Sequence, residues 1–148
     1  MRQQARNTVA SKNFSKETMH MKIRIINAPD APQAGAASFA QAVEVSGAGR
    51  TLYLSAQIAT DTDGNTPEDF AEQARLAWNN VVAQLRAADM TLDNLVKVTI
   101  YLADRRYVAD HRKVRLEVLQ GRQIGLTTIF AGLFDEKWLI AIDAVAVA

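Results

Sequence analysis

The amino-acid sequence predicts an α+β fold, in which two helices cover one face of a six-stranded mixed sheet. Three observations support this class: short extended runs near the start, one strongly amphipathic helix in the middle, and β-branched apolar runs in the second half. Their order along the chain is β-β-β-α-β-α-β-β. A chain of 148 residues that is 49% hydrophobic can bury one core, so we expect a single domain over residues 21–148.

The first part of this domain is predicted to contain three strands. Residues 22–26 begin with alternating polar and apolar side chains, and two prolines downstream end the run. Two further extended runs, over 38–45 and 51–58, flank a segment that contains two glycines. Because glycine permits the backbone angles of tight turns, we expect these two runs to pair as an antiparallel hairpin.

A helix after Thr66 is the clearest element. Thr66 is the expected N-cap and Pro67 the first helical residue, followed by two acidic residues that favour the positive end of the helix dipole. Apolar residues then recur at three- and four-residue spacing: Phe70, Ala74, Ala77, Trp78, Val81, Val82, Leu85 and Ala88. This stripe predicts that the helix packs on the sheet.

The second half is predicted to contain a strand over 95–102, a helix over 105–120 and strands over 126–133 and 138–147. The last strand is apolar on both faces except at Asp143, which indicates that both faces are buried. Two helices cover only one face of the sheet. We therefore expect a second copy of the chain to cover the other face.

Charge and composition exclude several classes of function. Residues 1–20 carry a net charge of +3 and are predicted to be a polar tail or appendage, whereas residues 21–148 carry −2. A body with this charge is a poor binder of nucleic acid. The chain has no cysteine and two histidines, so we expect no metal and no cofactor. Its apolar runs are far shorter than the roughly 20 residues that span a bilayer, which predicts a cytoplasmic protein without a membrane partner.

Five segments resemble the reactive-intermediate deaminase family, called RidA or YjgF and also endoribonuclease L-PSP. The segment 37–43 is similar to the family's Gly-Pro-Tyr-Ser-Gln-Ala-Val, and 54–58 to its Ser-Gly-Gln-Ile. The other three are the helix with Gln73-Ala74, Asn80 and Leu85, the run 95–104 (LVKVTIYLAD), and 142–146 (IDAVA). The resemblance implies a chorismate-mutase-like fold and a homotrimer with small-molecule pockets at the subunit clefts.

The same resemblance implies where the family's chemistry would lie. In its deaminase members an arginine holds the substrate carboxylate, and a glutamate on the last strand helps to activate water against an imine. The matching positions here are Leu126 and Ala141. Loss of one partner of a buried charge pair costs about 2 to 5 kcal/mol, so we expect poor deamination of the family's usual substrates. A more apolar or uncharged ligand would suit Leu126, Ala141 and Phe39, which matches the pocket tyrosine.

The remaining candidates are polar groups near these positions. Ser55 and Ala56 match the family's Ser-Gly pair, and the hydroxyls of Thr127 and Thr128 can contact a ligand. Three further residues are candidates for substitute catalytic roles: Asp143, Arg112 and His111.

Each of these three residues can be interpreted either as a catalytic group or as a structural one. Asp143 shares a strand face with Ala141 and can act as a general acid or base, or it can be a structural acid held by a hydrogen bond or salt bridge. Arg112 can replace the lost cation, or it can belong to a solvated basic helix face with Arg105, Arg106, Lys113 and Arg115. His111 has the pKa range of a general base, although a lone helical histidine is more often a surface residue.

Three functions follow from these observations. The first is a RidA-like homotrimer that binds a small metabolite in its intersubunit clefts. The second is a 2-iminoacid or enamine deaminase that uses substitute residues. A ribonuclease or translation inhibitor follows only from the family's older names, and the charge of the body disfavours it.

Overall fold

The computed structural model describes residues 20–31 and 39–148. The described residues form six strands and two α-helices in the predicted order: β1 (Lys22–Ile26), β2 (Ala42–Ser46), β3 (Thr51–Ile58), α1 (Phe70–Ala87), β4 (Leu95–Leu102), α2 (Val108–Leu119), β5 (Gly125–Phe130) and β6 (Ile140–Val147). Short 3-10 turns, Leu92–Asn94 and Arg105–Tyr107, precede β4 and α2. The α+β class is therefore confirmed. The predicted tail lies outside the described residues except for His20, and its separation from the domain stays a prediction.

The six strands divide into two sheets. One contains β1 and β2, and the other has the order β3-β6-β4-β5. The larger sheet is mixed, because β4 and β5 are parallel whereas β6 is antiparallel to both β3 and β4. A single parallel bridge between Ala40 and Gly125 connects the chain before β2 to the edge strand β5.

The predicted hairpin between the second and third strands is wrong. β2 pairs with β1, and β3 pairs with β6. The glycine-containing segment does not close a hairpin, because the backbone N–H groups of Gly49 and Arg50 both donate to the carbonyl oxygen of Ala148, each at 2.9 Å. Gly47 has φ +71°, and a Cβ there would lie 2.8 Å from the carbonyl oxygen of His20. The segment therefore directs β3 toward the apolar strand β6.

The start of α1 differs from the predicted one. Asp69 is the N-cap, and its carboxylate accepts a hydrogen bond from the backbone N–H of Glu72 at 2.9 Å. The Thr66 hydroxyl is instead hydrogen-bonded to that of Thr60, also at 2.9 Å. An aspartate cap can replace the hydroxyl cap because its oxygen accepts the same free N–H group and its charge favours the helix dipole.

Three other predicted boundaries also shift. The extended run of β2 begins at Ala42, and the predicted start at Ser38 lies outside the described residues. The helix predicted over 105–120 begins as a 3-10 turn, and α2 itself ends before Gln120, which has a left-handed φ of 48°. The last two strands are shorter than predicted, because the connection from 131 to 139 is irregular.

The core lies between the helices and one face of the larger sheet. Trp78, Val81 and Leu85 of α1 are fully buried there together with alternate residues of β4 and β6, such as Ile100 and Ile142. The opposite face of this sheet is more open. On β6 it buries Ala141 and Val147, but Asp143 and Val145 are only half-buried, so the predicted burial of both faces is incomplete within one chain. We call this side the open face.

Candidate functional site

A cleft of about 280 Å³ lies between α2 and the edge strand β5. Its lining residues are Phe39, Val108, His111, Arg112, Arg115, Leu126, Thr128 and Phe130. The three residues from β5 alternate along the strand and so lie on the same face, toward the helices. The four lining residues of α2 are at positions 108, 111, 112 and 115, and this spacing places them on one side of the helix. The structure thus brings five predicted site residues together: Phe39, His111, Arg112, Leu126 and Thr128.

His111 lies in this cleft as a buried residue with 3% exposure, so its expected surface position is wrong. Among the described residues, neither ring nitrogen has a hydrogen-bond partner. Burial lowers the pKa of His111 to about 4, and the neighbouring Arg115 and Arg112 charges add to this effect. The imidazole is therefore neutral at neutral pH, with one N–H donor and one acceptor nitrogen.

Arg115 is a cleft residue that sequence reasoning assigned to the solvated basic face. It is 5% exposed, whereas Arg112 is exposed at the rim of the cleft. Burial lowers the pKa of Arg115, with a smaller contribution from Arg112, but guanidinium groups stay charged in proteins. Nearby, the Arg105 guanidinium lies 4.4 Å from the centre of the Phe130 ring. The polar part of the cleft is therefore cationic.

Asp143 and Thr127 lie on the open face, away from this cleft. The strand register places Thr127, Thr99 and Asp143 in one row, while Leu126 occupies a row of the opposite parity. Asp143 shares the face of Ala141, as predicted. Within one chain, however, the sheet separates Asp143 from the cleft residues.

The Asp143 carboxylate is part of a polar cluster. Its Oδ2 accepts a hydrogen bond from the Tyr101 hydroxyl at 2.8 Å, which raises the pKa of Tyr101. Lys97 donates to the Thr127 hydroxyl at 2.5 Å. Burial lowers the pKa of Lys97, and the charge of Asp143 partly opposes that shift. These contacts agree with the structural alternative for Asp143, a hydrogen-bonded acid.

Ser55 and Ala56 are also remote from the cleft in a single chain. They lie on β3, where the pairing with β6 is irregular between Leu54 and Gln57. Both residues are exposed, and β3 is at the opposite edge of the larger sheet from β5.

A larger depression of about 640 Å³ lies between the 60–68 loop and residues 135–139. Its buried polar side chain, Gln73, is fully engaged in holding these segments together. The amide nitrogen donates to the carbonyl oxygens of Pro67 at 2.7 Å and Lys137 at 2.8 Å, and the amide oxygen accepts from the Leu139 N–H at 2.8 Å. This geometry is that of a structural bridge, so we place the candidate site in the smaller cleft.

Three cleft residues were not predicted as site residues from the sequence: Val108, Arg115 and Phe130. The signals that reveal them are periodic. Val108 and Arg115 recur with His111 at three- and four-residue spacing, and Phe130 continues the alternation of Leu126 and Thr128. Mixed apolar and charged residues on that helix face obscured the pattern.

The described residues contain no group of three or more histidine, cysteine or acidic side chains arranged to hold a metal ion. Within the same part of the chain, no helix combines the length and hydropathy needed to cross a membrane.

The fold and the cleft define the class of protein. It is a small α+β protein with a cleft of about 280 Å³ between its second helix and an edge strand. The sequence matches the family described as Endoribonuclease L-PSP over residues 26–148. The chain belongs to this family, which is also known as RidA or YjgF.

Curated relatives carry several names. The chain is 28% identical over 126 residues to a mouse 2-iminobutanoate/2-iminopropanoate deaminase, covering 84% of this chain and 90% of that protein. It is 39% identical over 56 residues to the RutC family protein YjgH of Escherichia coli, and 40% identical over 83 residues to a RutC family protein of Aquifex aeolicus. These last two matches cover 43% and 63% of the relatives, less than two thirds of each.

Solved structures agree with the fold. The Rid family protein YyfB of Yersinia pestis superposes with a TM-score of 0.75 at 24% identity, over 85% of this chain and 98% of that one. Escherichia coli TdcF, solved with bound serine, gives a TM-score of 0.63 at 26% identity, over 84% of this chain and 98% of that one.

Proposed function

We propose that this protein is a homotrimer that binds a small metabolite in the cleft between α2 and β5, and that it has lost efficient deaminase chemistry. The observation that carries the proposal is the cleft itself, which joins apolar walls to buried polar groups. Its volume of about 280 Å³ suits a compact ligand. A deaminase name in one relative and a bound serine in another support a small-molecule role.

The proposed loss of deaminase chemistry is supported by the residues that line the cleft. Imine hydrolysis needs an acceptor that takes a proton from water as the water oxygen adds to the C=N carbon, before ammonia leaves. The described residues that line the cleft include no carboxylate. His111 has an acceptor nitrogen there, but its pKa of about 4 makes it a weak base. Ala141, at the position that matches the family's glutamate, carries no acidic group. Asp143 is hydrogen-bonded to Tyr101 on the open face.

The homotrimer is proposed from the open face and from the resemblance stated above. Tyr53 and Ile129 lie on this face with exposures of 77% and 41%. β5 is an edge strand that carries cleft residues on one face and open-face residues on the other. A neighbouring copy seated on the open face would therefore lie beside the cleft. We propose no nucleic-acid or membrane partner and a cytoplasmic location.

A second candidate function, a 2-iminoacid or enamine deaminase, is favoured by one observation. Arg112 and Arg115 line the same cleft as Leu126, so cations are present to hold a substrate carboxylate. If this function is correct, Arg112→Ala abolishes turnover.

Ligand-induced stabilisation with a cleft-blocking variant tests the binding function. Thr128→Trp fills the cleft, and Thr62→Trp makes the same change at an exposed loop residue. We expect at least one member of a panel of small acids and neutral metabolites to raise the melting temperature of the wild type and Thr62→Trp, but not of Thr128→Trp. Equal stabilisation of all three proteins, or of none, would count against the cleft as the ligand site.

A further inference from the structure

An exposed aromatic pair lies beside the larger depression, on the connection between β5 and β6. Phe134 is 99% exposed, and its ring centre lies 6.4 Å from that of Trp138, which lines the depression. Aromatic side chains gain much free energy when they are buried, and exposed apolar patches often mark sites of interaction. Neither ring lines the cleft between α2 and β5. Ligand binding in that cleft therefore leaves this pair without a role.

The surface next to the aromatic pair is acidic. Glu68, Asp135 and Glu136 line the depression together with a single basic residue, Lys137, so the lining carries a net charge of −2. Glu68 and Glu136 are exposed, and neither forms an ion pair with another described residue. Such a surface repels anionic partners, nucleic acid included, and attracts cationic ones.

Hydrogen bonds on both sides of the depression hold its shape. The Gln73 side chain ties the 67 and 137–139 segments to α1, as described above. On the other side, the Asp61 carboxylate accepts hydrogen bonds from the backbone N–H groups of Asp63 and Asn65, each at 2.9 Å, and so closes the loop on itself. A surface that is ordered before binding loses less conformational entropy when a complex forms.

The position of Phe134 favours a polypeptide over a small cation as the partner. Phe134 is not a lining residue of the depression, so a small molecule bound inside would leave its ring in water. A chain segment can place a lysine or arginine against the acidic residues or over the Trp138 ring, while an apolar side chain covers Phe134.

We propose that the depression and the Phe134–Trp138 pair form a docking surface for a basic polypeptide segment that also carries apolar side chains. This surface lies at the start of α1 and shares no lining residue with the cleft between α2 and β5. The proposal therefore does not depend on the metabolite-binding function of that cleft.

Two peptides that differ in charge test the proposal. The full-length protein is titrated with the N-acetylated, C-amidated peptide Lys-Leu-Arg-Leu-Lys and with its uncharged counterpart Gln-Leu-Gln-Leu-Gln, and tryptophan fluorescence reports binding. Trp78 is buried in the core at 1% exposure, so a change in emission reports mainly on Trp138. We expect the basic peptide to bind about tenfold more tightly at low salt, and this difference to shrink as the ionic strength rises.

Variants with opposite expected effects locate the binding surface. Glu136→Gln should weaken binding of the basic peptide by about threefold, whereas Lys137→Gln removes a repelling charge and should strengthen it by about the same factor. Phe134→Ser should weaken it by about tenfold, and the protein should still fold because this ring is 99% exposed. Asp30→Asn removes an exposed charge outside the depression and should leave the affinity unchanged.

Several outcomes would overturn the proposal. Equal affinity for the two peptides, or binding of neither, would remove the basic partner. Equal weakening by Asp30→Asn and Glu136→Gln would show a general charge effect. A Phe134→Ser variant with a lower mass than the wild type in light scattering would make the aromatic pair a contact between copies of the chain. Spermidine that binds as tightly as the basic peptide, and equally well to Phe134→Ser, would assign the depression to a small cation.

Discussion

His111 is buried beside Arg115 on the side of α2 that faces β5, and this position determines its protonation state. Burial away from water disfavours the imidazolium, and the two neighbouring guanidinium charges add to this effect. The residue type at position 111 was evident from the sequence. Its burial was not, because a lone histidine between charged residues has the pattern of a solvated helix face, and only the packing of α2 against β5 shows which side is covered.

The stability of the protein should therefore depend on pH through His111. Its pKa of about 4 in the folded state lies below the ordinary value of 6.5, so the unfolded chain binds more protons between these values and stability falls as the pH drops through this window. We expect the free energy of unfolding, measured by urea denaturation, to lose about 2 kcal/mol from this group between about pH 8 and about pH 5.

Two variants isolate this effect. His111→Gln should flatten the pH dependence by that amount, whereas His20→Gln replaces an exposed histidine and should leave it unchanged. The same pH dependence in His111→Gln and the wild type would contradict a buried neutral imidazole.

At the scale of elements, the helices and strands with the strongest sequence patterns were predicted most accurately. The β-branched run of β4 and the apolar stripe of α1 each predict their element without knowledge of the rest of the fold, because each element buries a face that repeats regularly along the chain. The partner of β3 was not predictable in this way. A glycine-containing segment is compatible with a hairpin, and the pairing with β6 depends on contacts of Gly49 and Arg50 with the last residue of the chain.

The hydrogen bonds of the Gln73 side chain connect α1 to two loop segments and should contribute to the free energy of unfolding. Its side chain joins α1 to the 67 and 137–139 segments through three hydrogen bonds, and it is 1% exposed. Gln73→Ala leaves these backbone groups without that partner, and we expect a loss of about 2 to 4 kcal/mol in the free energy of unfolding.

The control is Gln84→Ala on the exposed side of the same helix, where the amide makes a long 3.4 Å contact with Gln57. Urea denaturation should show a change below about 0.5 kcal/mol for this variant. Similar losses in the two variants would contradict the role of Gln73 as a bridge.

At the scale of the whole molecule, the larger sheet separates two groups of candidate residues. Phe39, Leu126 and Thr128 meet α2 in the cleft, whereas Asp143 and Thr127 lie on the open face. The sequence identified many of these residues by resemblance. It did not show that they lie on opposite sides of the sheet in one chain, because that depends on the parity of β5 and β6 in the folded register.

The proposed trimer makes the open face a contact surface. Tyr53 is 77% exposed on this face, and a charge introduced there would have to lose its hydration on assembly. We expect Tyr53→Glu to reduce the mass measured by light scattering from three chains toward one. Leu116→Glu, at an exposed position on α2, should keep the mass of three. A wild type that behaves as a monomer would contradict the trimer.

The most direct test of the proposed function is the release of ammonia and keto acid from 2-iminobutanoate generated in situ. We expect no release above the uncatalysed reaction with the wild type, because the described lining residues of the cleft include no carboxylate and the lowered pKa of His111 makes it a weak base. A Leu126→Arg, Ala141→Glu double variant should gain activity on the same scaffold. Turnover by the wild type that Arg112→Ala abolishes would contradict the loss of deaminase chemistry and would identify the protein as a deaminase with substituted residues.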